Sequence, residues 1–182
     1  MEDKGYRVCN LKLMIFITNL KISIKRFFGY YNKPKIKKLT LEDIFNIEDS
    51  NDLLVELHTY LYEKKLEGIK LNTIETDILA LMTFVMETSS GGYSGFVYHS
   101  GNLYHETLKA LKKINCINEL ESLTTLLDFF PNKKVPKDSN KRDELLTEEF
   151  EIACSNLDNT FNRDMIIDLT YQYLLINKSK IN

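Results

Sequence analysis

Apolar residues recur every three or four positions along most of the chain after residue 50. This spacing is typical of amphipathic helices that bury one face. The most regular stripe runs from Ile74 to Met86, and Gly91 and Gly92 follow it. Glycine accepts the left-handed conformation common at a helix C-terminus, so the pair predicts the end of that helix. No segment after residue 40 alternates as a strand would. The sequence therefore predicts an all-α bundle of about six helices.

Capping and breaking residues set the expected helix boundaries. Ser50 or Asn51 is expected to cap one helix, and Asn72 or Thr73 the next. Pro131 is expected to stop another, because proline cannot continue a helix. Residues 93–100 are expected to form a short connecting segment. The predicted helices cover approximately residues 50–67, 73–90, 102–114, 118–130, 141–158 and 163–177.

The charge of the chain is divided unevenly along its length. Residues 1–40 carry ten Lys or Arg against two acidic residues, whereas residues 41–182 carry 14 against 24. We therefore predict a basic N-terminal extension and linker followed by an acidic helical domain. Within the extension, residues 11–28 fit both strand and helix periodicity, and helix is favoured. Packing on the domain is the expected role of this helix, and contact with an anionic membrane is the alternative.

The N-terminal residues and the cysteines indicate the compartment in which the protein is expected. Glu2 and Asp3 interrupt the basic start that a signal peptide needs. Cys9, Cys116 and Cys154 lie far apart and form no CxxC pair. Unclustered cysteines indicate reduced, buried thiols in a cytoplasmic protein.

Catalytic and cofactor signals are weak. His99 and His105, with Glu87, could be combined into a metal site, but their spacing matches no helical ligand pair. The glycine-rich stretch 90–95 lacks the P-loop lysine. No metal or other cofactor is predicted. An enzyme that uses the Gly91–His105 region remains an alternative.

One segment is distinctive. Residues 86–102 read Met-Glu-Thr-Ser-Ser-Gly-Gly-Tyr-Ser-Gly-Phe-Val-Tyr-His-Ser-Gly-Asn. This resembles the motif Glu-x-x-Asn-Gly-Gly-Phe-x-Gln-Phe-Phe-x-Asn-Ser-x-Gly in the C-terminal helical domain of a bacterial family named for a DNA-mimic member. Arg142 and the run Leu157-Asp158-x-x-Phe161 resemble later parts of that domain. The residues assigned to the structural motif are Glu87, Gly91, Gly92, Tyr93, Phe96 and Gly101.

The resemblance implies a non-enzymatic protein whose carboxylates imitate DNA phosphates. The expected partner is a protein, either a basic DNA-binding protein or, as an alternative, a basic toxin or nuclease that an immunity-type protein neutralises. The acidic domain itself is not expected to bind nucleic acid. Asp43, Glu48, Asp49, Asp52 and Glu56 add negative charge near its start. The candidate acidic binding face lies on the predicted helix 141–158 and comprises Asp143, Glu144, Glu148, Glu149 and Glu151.

Overall fold

Helices make up all the regular secondary structure of residues 38–182, the part of the chain that the computed structural model describes. The predicted amphipathic segment 11–28 and Cys9 lie outside these residues. Six of the described helices are ten residues or longer, so the predicted all-α bundle of about six helices is confirmed. The α-helices are α1 (Leu41–Phe45), α2 (Ser50–Leu66), α3 (Thr73–Ser100), α4 (Tyr104–Lys113), α5 (Ile117–Leu126), α6 (Ser139–Asp143), α7 (Glu148–Asp158) and α8 (Arg163–Asn177).

The long helix α3 is the centre of the fold and contacts α2, α4, α7 and α8. Residues 77–85 of α3 are buried on every side of the helix. Apart from Asp77 and Thr83 these residues are apolar, and a helix with apolar residues on every side belongs inside a domain, where neighbouring helices cover each face. Leu54 and Leu57 of α2 and Ile166 of α8 are among the buried side chains of the same core. None of the helices in residues 38–182 combines the length and apolarity that crossing a membrane requires.

Helices α2 and α8 lie side by side and run in the same direction. At their starts, Arg163 Nη2 donates a hydrogen bond of 2.7 Å to Asn51 Oδ1. In the second half of α2, Tyr60 Oη and Lys64 Nζ donate to the backbone oxygen of Asn182, which follows the end of α8, at 3.3 and 2.8 Å. Contacts at both ends fix the two helices as a parallel pair, although about a hundred residues separate them in sequence.

The helix predicted over 141–158 is wrong, because the chain leaves helical conformation over residues 144–147. Thr147 is the N-cap of α7, and its side chain accepts a hydrogen bond of 3.3 Å from the Phe150 backbone N–H. A threonine hydroxyl followed by two glutamates favours a new helix start. The hydroxyl accepts a hydrogen bond from one of the free backbone N–H groups there, and the glutamate charges interact favourably with the positive end of the helix dipole. The apolar periodicity continues through this break and conceals it.

Two helix starts also differ from the prediction. The short helix α1 was not predicted, although Thr40 and Asp43 form a reciprocal capping box, each side chain accepting from the other residue's backbone N–H at 3.1 and 2.9 Å. In α2 the cap is Asp49, not the predicted Ser50 or Asn51. The Asp49 cap lies within a turn of the expected boundary, where capping geometry decides the assignment, whereas α1 is an additional helix.

Candidate functional site

Helix α3 bends at the glycine pair. Gly92 has φ 67° and ψ −173°, a backbone conformation that only glycine adopts without strain. Gly91 also departs from helical geometry, with φ −140° and ψ 16°. The helix then resumes over residues 93–100, which we call the distal segment. The sequence indicated the interruption but not that the connecting segment after it is helical.

A carboxylate from α7 caps the start of the distal segment. The Tyr93 backbone N–H donates to Asp158 Oδ1 at 2.8 Å. A Cβ atom added to Gly92 would lie 2.5 Å from Asp158 Oδ2, so the carboxylate occupies the space of the absent side chain. The negative charge also lies at the positive end of the helical dipole. Gly92 is thus required both by its backbone angles and by the close approach of Asp158.

A buried guanidinium holds the other end of the distal segment. Arg142 is 2% exposed, and its Nε and Nη2 donate to the Tyr98 carbonyl at 3.3 and 2.9 Å. Its Nη1 donates to the carbonyls of Pro136 and Lys137 at 2.9 and 2.7 Å. A Cβ on Gly101 would lie 2.6 Å from Arg142 Cδ. A cation therefore lies at the negative end of the dipole, and Gly101 makes room for it.

Aromatic rings fill the inner side of the bend. Tyr93 and Phe96 are fully buried, and both rings contact Phe84 with centroids 5.8 and 5.0 Å apart. Phe161 contacts Phe84 and Tyr93 from the α7–α8 connection. Burial raises the pKa of the Tyr93 phenol, which keeps it protonated at neutral pH. Glu87, on the outer side, accepts a hydrogen bond of 3.3 Å from Ser100 Oγ. The structure thus brings the motif residues together with the Arg142 and Asp158–Phe161 elements.

The residues considered for catalysis or metal binding are placed as follows. His99 is exposed and His105 half-buried. Within residues 38–182, no three His, Cys, Asp or Glu side chains converge in a way that could hold a metal ion. Cys116 and Cys154 are buried thiols, as predicted. Burial raises the pKa of each to about 12, so neither is a thiolate at neutral pH.

The predicted acidic face is divided between two helices. Asp143 and Glu144 lie at the end of α6, whereas Glu148, Glu149 and Glu151 lie in the first turn of α7. All five are exposed, but residues 144, 148 and 151 do not share the helical face expected from their spacing. Carboxylates in a first turn stabilise the helix N-terminus, which explains the three glutamates locally. Glu151 also accepts a hydrogen bond of 2.9 Å from Ser94 Oγ of the distal segment.

A second concentration of carboxylates forms where α2 and α8 begin. Residues 39–63 contain seven Asp or Glu and no Lys or Arg. Asp52 and Glu56 on α2, and Asp164 and Asp168 on α8, are each four residues apart, so each pair shares a helix face with a spacing of about 6 Å along the axis. We call Asp49 together with these four residues the α2–α8 acidic face.

The relation between the two halves of this face follows from the parallel helix pair. The Asn51–Arg163 hydrogen bond places the starts of α2 and α8 together, and packed helices have axes about 8–10 Å apart. Asp52, Asp164 and Asp168 are exposed and Glu56 is half-buried. Sequence reasoning noted the acidic residues of α2 but missed α8, because nothing local in the sequence indicates that these helices are neighbours.

A family model described as DMP19-like protein matches residues 69–177, which is more than half of the chain. The chain belongs to the DMP19-like family. No curated protein and no solved structure matches it. The resemblance to a DNA-mimic family is therefore confirmed.

The residues that the DMP19-like model matches include the whole glycine bend but only half of the α2–α8 acidic face. The bend, Arg142, Asp158 and the α8 half of the acidic face all lie inside residues 69–177, whereas the α2 half precedes them. The bend and its two charged contacts thus belong to the DMP19-like part of the chain. Arg142 is buried and Asp158 is exposed, and both hold the distal segment through hydrogen bonds to its backbone.

Proposed function

We propose that this protein is a cytoplasmic protein-binding domain that acts as a DNA mimic, presenting the α2–α8 acidic face to the cationic groove of a DNA-binding protein. The observation that carries the proposal is the pairing of α2 with α8 in a chain that belongs to a DNA-mimic family. Each of these two neighbouring helices carries one row of carboxylates, Asp52 and Glu56 on α2 and Asp164 and Asp168 on α8. Duplex DNA similarly presents two rows of phosphates across a groove.

The physical basis of such binding is charge. A DNA-binding protein carries Lys and Arg side chains that contact phosphates at regular intervals. Carboxylates spaced by about 6 Å on a rigid helix offer these cations hydrogen-bond acceptors without requiring a flexible loop to become ordered. Complementary potential accelerates association and is weakened by salt. The binding is therefore expected to weaken as ionic strength rises.

The same proposal assigns no catalytic role to the Gly91–His105 region. Gly92 and Gly101, its most distinctive residues, are the positions where Asp158 and Arg142 approach the backbone. The face predicted from the sequence at residues 143–151 is a second, competing surface for the same function. Its helix-capping geometry gives it a structural role as well, so we rank it below the α2–α8 acidic face.

The proposal is tested by capture and displacement. The full-length protein is immobilised and exposed to a nuclease-treated lysate of the cells that encode it, and bound protein is eluted with duplex DNA. We expect a basic DNA-binding protein to be retained and then released by DNA, because the two ligands compete for one groove. The test variant removes four charges of the α2–α8 acidic face: Asp52→Asn, Glu56→Gln, Asp164→Asn and Asp168→Asn.

A matched control removes four charges from the other surface: Asp143→Asn, Glu144→Gln, Glu148→Gln and Glu149→Gln. Both variants change the net charge equally, so a difference between them reports position and not charge alone. We expect the test variant to lose the partner and the control to retain it. The reverse result would move the site to residues 143–151. A partner that duplex DNA does not displace would refute mimicry. Recovery of a nuclease from an adjacent gene would instead favour the immunity alternative.

A further inference from the structure

An arginine is unusual at position 163, the start of α8. It occupies the first position of α8, where the positive end of the helix dipole disfavours a cation. Its guanidinium also lies 3.2 Å from Asp164 and donates to Asn51, the residue before Asp52, so its positive charge reduces the negative charge that would attract a basic partner. A residue that opposes both local preferences must contribute something else.

The contacts of Arg163 indicate what that contribution is. Its Nη1 lies 3.2 Å from Asp164 Oδ1, but this pair is exposed, with 44% and 88% of the side chains accessible, and such pairs contribute little to stability. The other nitrogen, Nη2, donates at 2.7 Å to Asn51 Oδ1 on α2. A planar guanidinium can make both contacts at once, which a lysine cannot. It therefore links α8 to α2 at the point where both carboxylate rows begin.

We infer that Arg163 is a positioning residue of the α2–α8 acidic face, holding the two carboxylate rows in register through its hydrogen bond to Asn51. This inference rests on the proposed function. Far from this point, the helices are tied again through Lys64 and Asn182. Without the Arg163 bridge, the start of α8 keeps the 3.0 Å hydrogen bond from the Asn162 N–H to Glu119 Oε1 of α5 but loses its hydrogen bond to α2. The distance between Asp52 and Asp164 then varies more than in the wild type. A partner that contacts both rows then dissociates faster, although the number of carboxylates is unchanged.

The experiment separates register from charge with three variants. Asn51→Ala removes the bridge without altering any charge, and it lies in a first helical turn that tolerates alanine. Arg163→Lys keeps the charge but loses the fork. Arg163→Gln makes the face more negative. Rate constants are measured by surface plasmon resonance with two probes: the purified partner released by duplex DNA, and protamine, a flexible arginine-rich polypeptide that responds to charge and not to register.

With the partner, we expect Asn51→Ala and Arg163→Lys to increase the dissociation rate about fivefold and to leave association unchanged. With protamine, both should match the wild type, whereas Arg163→Gln should bind more tightly. A helical circular dichroism spectrum and a cooperative thermal transition confirm folding of each variant. The inference is overturned if Asn51→Ala dissociates from the partner at the wild-type rate, or if the variant binds both probes more weakly to the same extent. Either result leaves the proposed function intact. Recovery of no DNA-displaceable partner overturns both.

Discussion

Replacing Gly92 by alanine tests the account of the bend most directly. The substitution places a Cβ 2.5 Å from Asp158 Oδ2 and 2.7 Å from its Oδ1, and it forces a side chain into φ 67°. The backbone strain alone is worth about 1–3 kcal/mol. Displacing the carboxylate also breaks its hydrogen bond to the Tyr93 N–H, and such charged hydrogen bonds contribute about 1.5–3 kcal/mol.

These two effects together predict a loss of about 3 kcal/mol or more in the free energy of unfolding. The assay is urea denaturation of the full chain followed by circular dichroism. With an m-value of about 2 kcal/mol per molar urea, the midpoint should fall by about 1.5 M. A domain of this size has a total stability of about 5–15 kcal/mol, so the variant remains folded or becomes marginal.

The neighbouring glycine provides the control. A Cβ on Gly91 meets no atom within 4 Å, and its φ is negative, so Gly91→Ala should change stability by less than about 1 kcal/mol. Combining Gly92→Ala with Asp158→Ala should cost less than the sum of the single changes, because the clash is then absent. Equal midpoints for Gly91→Ala and Gly92→Ala would refute the proposed fit of Asp158 against the backbone.

Three further predictions concern buried polar groups. Arg142→Lys should lower stability by about 2 kcal/mol in urea denaturation, because an ammonium cannot reach all three carbonyls that the guanidinium holds; an unchanged midpoint would contradict this. Cys116 and Cys154 should resist alkylation at pH 8 and react after unfolding, as measured by mass spectrometry of each peptide; rapid native labelling would disprove their burial. Burial alone would raise the pKa of Glu75, but hydrogen bonds from Lys64 and two backbone N–H groups lower it below its ordinary 4.5. The ionised Glu75 therefore makes its full contribution to the free energy of unfolding above about pH 4.5, and this contribution is lost as the pH falls through the lowered pKa. In Glu75→Gln the free energy of unfolding should depend less on pH in that range.

The sequence was most informative where local periodicity decides structure. The last helix was predicted over about 163–177 and is observed at Arg163–Asn177, because an apolar stripe and clear boundaries coincide there. The break before Thr147 was missed although its capping residues are visible in the sequence. In that stretch the apolar period continues from α6 into α7, and a continuous period predicts one helix even where a capping residue such as Thr147 starts a new one.

Features that depend on distant contacts were beyond sequence reasoning. Asp158 and Arg142 are ordinary charged residues in helical segments, and only the fold shows that they meet Gly92 and Gly101. The α2–α8 pairing likewise joins residues 112 positions apart, through Asn51 and Arg163. No local pattern encodes such neighbours, because the packing of the whole core determines them.

The order of the two charged contacts along the chain constrains how the domain matures on the ribosome. Asp158 is synthesised 65 residues after Tyr93, and Arg142 is synthesised 44 residues after Tyr98. While the chain is being synthesised, the central helix emerges with its glycine bend uncapped and its apolar sides uncovered. The core around the central helix can therefore form only after nearly the whole domain has been synthesised. Nascent chains stalled before residue 158 should be recognised by chaperones or degraded.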